Sequence, residues 1–173
     1  MMCFKTFGRK IEAELSRIPY VPSFVTAGIC LLLAILVAVT GKSGYYQLFY
    51  DFPKGTPPFL LRAFFEGLFY TVFGLSFGMF LFSKRICMID CRQQTVLLFI
   101  CTVFVSYART VAIYQAGALF FALLLSVLLC VCFSVLFFVV KEAYFLSACG
   151  IFLCFFWGIY TVYYTFVLFL LNA

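Results

Sequence analysis

The sequence predicts an all-α integral membrane protein, a single domain over residues 1–173 built as a five-helix transmembrane bundle behind a short N-terminal amphipathic segment. Three observations carry this. First, 66% of the residues are hydrophobic and only 10% are charged, where a soluble domain is near half apolar and a quarter charged. No soluble fold of this length could bury so much apolar surface. Second, the few charges punctuate the chain at intervals that match the roughly 20 apolar residues needed to cross a hydrocarbon core. Third, the basic residues fall unevenly on the two sides that such a reading creates.

The elements follow in order. Phe4, Phe7, Ile11, Leu15 and Ile18 recur at three- and four-residue steps among Lys5, Arg9, Lys10 and Arg17. That pattern suits a helix lying on the bilayer surface. A cleavable signal is not expected, because the apolar run that follows is too long and Val39-Thr40-Gly41 is a poor cut site. Between Arg17 and Lys42 lie 24 uncharged residues, giving span one near 24–40. Span two, 59–82, carries Arg62 and Glu66, and span three, 95–114, carries Arg109. The next 31 residues are uncharged, too many for one span, and Gln115-Ala116-Gly117 supplies the break. Spans four and five are then 118–140 and 144–171.

The connection over residues 41–58 differs from the rest. Its Gly and Pro residues forbid a long helix, and its aromatics suit a membrane–water interface. It is expected to fold back over the bundle, with Tyr45, Tyr46 and Phe49 dipping inward.

Orientation follows from the basic residues. Lys5, Arg9, Lys10, Arg17, Lys84, Arg85, Arg92 and Lys141 fall on one side, against Lys42 and Lys54 on the other. The excess places the N-terminus in the cytoplasm, with a bacterial cell membrane as the expected location. The net charge of +6 is then a matter of topology and anionic headgroups, with the lipid bilayer rather than nucleic acid as partner.

Composition also removes chemistry. The chain has no His, so imidazole bases, His-ligated haem and most zinc or copper sites are out. Nine scattered Cys residues do not form a disulfide framework. Cys87 and Cys91 flank Asp90 but lack a second ligand pair, so no metal site is expected. No nucleophile–base pair or paired carboxylates suggest catalysis, and no cofactor is expected. Without an ATP-binding loop, any transport would be passive, coupled or driven by a partner.

The three intraspan charges are the candidate functional residues, because charge in hydrocarbon is costly. Arg62 and Glu66 are four apart on one helix face. Arg109 precedes the end of its span by about one and a half turns, so all three share a depth. Two readings stay open. One is a structural ion cluster with Arg62 snorkelling to the headgroups. The other is a site where an incompletely paired Arg holds an anionic group such as a carboxylate. Both expect Glu66 and Arg109 to face the interior, within reach of each other or of one bound anion.

Tyr45-Tyr46-Gln47-Leu48, then Pro53, Pro57-Pro58, Tyr70 and Gly74, resemble the signature of the translocator protein family, also called tryptophan-rich sensory proteins. There a Trp-Tyr pair precedes a Lys-Pro, a Pro-Pro opens the second helix, and a Tyr and a Gly follow at the same steps as here. Ser106 falls where the family has an Asn, Ile113-Tyr114 at an aromatic pair, and Trp157 and Tyr160 at a Trp and an aromatic of helix five. The likeness runs over residues 19–172, in a Trp-poor form: Ala63-Phe64 stand in place of a Gly-Pro and Glu66 in place of a Trp. The family's sterol pattern is absent from helix five, whereas Val105-Ser106-Tyr107-Ala108-Arg109 fits it in helix three.

The resemblance implies five helices and a pocket capped by the first loop, taking porphyrin- or sterol-like ligands. Tyr45, Tyr46, Pro53, Tyr70, Ser106, Trp157 and Tyr160 would join Arg62, Glu66 and Arg109 around the ligand. The expected function is therefore a receptor or transporter-like protein for a hydrophobic, partly anionic small molecule, with a homodimer left open. The alternative is the substrate-binding membrane subunit of a multi-component vitamin transporter, which would need a partner and usually six spans.

Overall fold

The computed structural model describes residues 20–44, 48–82 and 89–172. The amphipathic segment, Tyr45, Tyr46 and Cys87 lie outside the described residues. Within them are five helices: α1 (Tyr20–Lys42), α2 (Phe59–Leu81), α3 (Ile89–Tyr114), α4 (Leu119–Ala143) and α5 (Phe145–Asn172). Each is long and apolar enough to cross a membrane. The chain is an all-α five-helix membrane bundle.

The helices outrun several of the expected spans. α1 is already helical at Tyr20, ahead of the expected start near residue 24, and α3 at Ile89, ahead of 95. Hydropathy marks only the stretch inside hydrocarbon, whereas backbone hydrogen bonding continues into the headgroup layer. The expected break after α3 is present: Gly117 adopts φ 65°, and the N–H groups of Ala116 and Ala118 turn back onto Val111 and Ala112 carbonyls. Extended Tyr144 alone separates α4 from α5.

Round the bundle the order is α1, α2, α5, α4, α3, with the ring closed loosely where α3 meets α1. Lipid is as apolar as the core, so burial does not drive this packing; close backbone approach and polar contacts do. Gly74 and Gly78 of α2 lie against α1. A Cβ at Gly78 would sit 2.6 Å from Ser23 Cα, and one at Gly74 would sit 2.8 Å from Ala27 Cα. Thr26 donates across the same contact to the Gly74 carbonyl at 2.8 Å. Ser147 of α5 donates to the Ser76 carbonyl of α2 at 2.6 Å, and Ser126 of α4 meets Thr165 of α5 at 3.1 Å.

α2 and α3, by contrast, keep their axes apart, and long side chains fill the gap. Toward the α2–α3 connection these are phenylalanines. Phe99 packs against Phe73, Phe77 and Phe80, and Phe73 also meets Phe133. Side chains such as Leu60, at 82% exposure, and Leu32, Phe104 and Phe120 face outward. That outer surface belongs in lipid, not water.

The described part of the 41–58 connection closes over the loop end of the bundle. Gly41 still belongs to α1. Gly44 crosses Tyr114 so closely that a Cβ would lie 2.6 Å from the Tyr114 carbonyl oxygen. Phe49, expected to dip inward, is instead 63% exposed. Tyr50 and Phe52 pack inward in its place, against the Ala112, Tyr114 and Leu168 cluster. The Tyr50 hydroxyl donates to the Ile113 carbonyl at 2.9 Å, one of the acceptors that a helix C-terminus leaves free. Phe49 has no hydroxyl to make that bond. Asn172 ties the loop to α5, accepting from the Asp51 N–H at 2.9 Å and donating to the Asp51 carbonyl at 3.0 Å.

Candidate functional site

Glu66 and Arg109 do face the interior, and they face each other. Arg109 Nη2 lies 3.4 Å from Glu66 Oε1, and the residues are 6% and 8% exposed. The opposite directions of α2 and α3 set this register. One turn further from the loop, the Tyr70 hydroxyl donates to Ser106 Oγ at 2.7 Å. Each rung thus joins α2 to α3 across the gap between their axes.

Arg62 lies among aromatic rings. It is half-buried, and among the described residues no carboxylate lies within ion-pair distance of it. Its Nη1 donates to the Tyr164 hydroxyl at 2.9 Å. Its guanidinium carbon lies 5.2 Å from the Tyr114 ring centre, 5.6 Å from that of Tyr164 and 5.7 Å from that of Phe59. The two tyrosine hydroxyls are 3.3 Å apart. An aromatic cage stabilises a cation through the ring quadrupoles, so Arg62 neither snorkels alone nor closes an ion pair with Glu66.

The pairing of Arg109 is incomplete. A charge-assisted N–H···O bond settles near about 2.7–2.9 Å, well short of the 3.4 Å found here. A guanidinium has five N–H donors, and Arg109 Nε is buried with no hydrogen-bond partner. The layer therefore holds two guanidiniums and one carboxylate, a formal surplus of one positive charge.

Trp157 and Tyr160 complete the wall. Phe69, Trp157, Tyr160 and Tyr164 stack in a column, with ring centres 4.8, 5.0 and 6.2 Å apart. A cavity of about 30 Å³ is lined by Arg62, Glu66, Arg109, Trp157, Tyr160 and their neighbours. It has room for a water or two, whereas sites for multi-ring ligands need several hundred Å³. A far larger space, about 440 Å³, lies between α1, α2 and α3 where the ring is loosely closed. Its walls are almost wholly apolar, from Thr26 to Val37 on α1, Tyr70 to Phe77 on α2 and Phe99 to Tyr107 on α3. Val37 lines both spaces.

Of the residues singled out from the sequence, Arg62, Glu66, Arg109, Trp157 and Tyr160 come together around one cavity. Tyr70 and Ser106 lie one turn below it. Pro53 stays in the loop, where its carbonyl accepts the Thr56 N–H and hydroxyl, and it is not among the cavity's lining residues. Tyr45 and Tyr46 lie outside the described residues. The Arg62 cage was missed. Tyr164 follows Trp157 and Tyr160 at helical spacing, a signal that could have placed it on the same face. No protein-family model matches the chain, and no curated protein matches it.

Proposed function

We propose that the protein is a membrane receptor or transporter-like binder of a hydrophobic small molecule that carries an anionic group, held within the bundle near the loop end. The observation that carries this is Arg109, more than nine-tenths buried yet joined to Glu66 by one long contact and with Nε unpartnered. A purely structural ion pair in hydrocarbon would be expected to close its hydrogen bonds. An anionic ligand group would supply the missing acceptor, and the aromatic column would flank its apolar part. The resemblance to the translocator protein family favours a tetrapyrrole- or sterol-like body, whereas the small size of the cavity favours a slimmer one. The basic residues favour a cytoplasmic N-terminus.

Thermal unfolding with paired ligands tests the reading, since a ligand that binds only the folded state raises its stability. Porphyrin carboxylic acids, their esters, sterols and vitamins would each be added to the unaltered chain. The same series would be run with the double variant Glu66→Gln/Arg109→Gln. Acids should stabilise the unaltered chain more than their esters do, and the double variant should fold yet lose that preference. Equal stabilisation by acid and ester, or a preference that survives in the double variant, would overturn the assignment.

A further inference from the structure

The two spaces that meet at Val37 differ in a way that narrows the ligand. The charged cavity offers about 30 Å³, enough for a head group and nothing more. The groove between α1 and α3 offers about 440 Å³ and meets it at Val37. The groove follows α1 from Thr26 to Val37, about 16 Å of helix, close to half the hydrocarbon thickness of a bilayer. It is half open, flanked by the exposed side chains of Ile29, Ile100 and Phe104. A second groove of about 420 Å³ on the other side of α1 also borders the charged cavity, at Ala38, Phe59 and Ala63, but no residue of α3, the helix that carries Arg109, lines it. The surplus charge in the layer is one: Arg62 and Arg109 against Glu66.

Resting on the reading above, we infer that the ligand is a single-chain monoanionic amphiphile of the long-chain carboxylate type. Its chain enters sideways from the bilayer and lies in the α1–α3 groove. Its head passes Val37 to reach Arg109. One negative charge neutralises the layer, where a neutral head would leave its surplus charge in place and a dianion would reverse it. A narrow chain fits a groove that runs along the helices, and a carboxylate fits a cavity of a few water volumes. An anionic phospholipid shares the charged-head chemistry but brings a second chain and a bulkier head.

The sole tryptophan, Trp157, gives the readout. It lines a small cavity together with Tyr70, Phe73 and Val103, all of which also line the groove. Bromine on a chain in the groove should therefore quench it. The full chain would be placed in phosphatidylcholine nanodiscs and titrated with mid-chain-dibrominated stearate, its methyl ester and a brominated phosphatidylglycerol. The acid should quench saturably, and the ester should need about tenfold more or beyond, the ratio for one charge-assisted hydrogen bond. Ile29→Phe with Ile100→Phe fills the groove from its exposed rim and should abolish quenching by the acid at an unchanged unfolding midpoint. Gly67→Leu, in the second groove, should leave quenching intact.

An acid-over-ester preference that survives groove filling would overturn the groove while leaving the proposed function standing. Equal quenching by acid and ester in the unaltered chain would defeat the charged-layer reading itself. Quenching by brominated phosphatidylglycerol at the acid's concentration would replace the single-chain ligand with a bilayer lipid. Should the filled variant not fold, a diazirine-bearing fatty acid decides the matter on the unaltered chain. Labelling of the α1 and α3 groove residues supports the seat, and labelling confined elsewhere overturns it.

Discussion

Tyr70 and Ser106 share a 2.7 Å hydrogen bond one helical turn below the Glu66–Arg109 contact, so two polar rungs of unequal quality span the same gap. The lower rung is short and complete. The upper one is long and leaves a donor over. That contrast gives the rungs separable mutational signatures.

The lower rung should behave as an ordinary structural bond. Tyr70→Phe and Ser106→Ala should each cost about 0.5–1.5 kcal/mol, toward the low end usual inside membranes. The double variant should cost little more than either alone, because both remove one interaction. Reversible unfolding in mixed detergent would measure the cycle, and fully additive losses would contradict the bond.

The upper rung should punish single changes. Glu66→Ala leaves Arg109 buried without its carboxylate and should destabilise by about 3–5 kcal/mol. Adding Arg109→Gln to Glu66→Gln should restore most of what the single glutamine loses. The same detergent titration reads both, and a double variant worse than the sum of its parts would argue against direct pairing.

The α1–α2 contact should depend on two missing side chains. Gly78→Val would drive atoms into Ser23, whose Cα lies only 2.6 Å from an added Cβ. Gly74→Val would meet Ala27 in the same way. Each should cost on the order of 1–3 kcal/mol or more through overpacking. Gly28→Ala is the control: nothing lies within 4 Å of its added Cβ, and alanine favours helix by about 1 kcal/mol. Its unfolding midpoint should stay or rise.

The loop strap should be local. Asn172→Leu removes both bonds to Asp51, and Tyr50→Phe removes the bond to Ile113. Either should speed amide exchange across residues 48–58 while leaving the helices protected. Slowed or unchanged exchange there would mean that the strap does not hold the loop.

The helix count and the inward turn of Glu66 and Arg109 were legible because charge is expensive in hydrocarbon. The same scarcity that marks the spans also forces the exceptions inside. Helix ends were less legible: residues 20–23 carry no charge to place them, yet backbone hydrogen bonding includes them in α1. The surroundings of Arg62 were not legible, because its cage draws Tyr114 and Tyr164 from two other helices. Nor was the choice of Tyr50 over Phe49, which turns on a free carbonyl at Ile113. The looseness between α1 and α3 leaves no periodic mark in either helix.

The phenylalanine cluster around Phe99 has an electrical consequence. Beyond Ser106, the hydroxyls of Thr102, Ser76 and Ser147 are spent on the carbonyls of Leu98, Val72 and Ser76. They offer a hydronium no relay past the rings of Phe73, Phe77, Phe80 and Phe99. A proton crossing a membrane gains about 2.3 kcal/mol per 100 mV, so a bundle with charges at one end needs a dielectric barrier at the other. These rings form an apolar barrier there, so the charged layer near the loop end does not short-circuit the membrane potential.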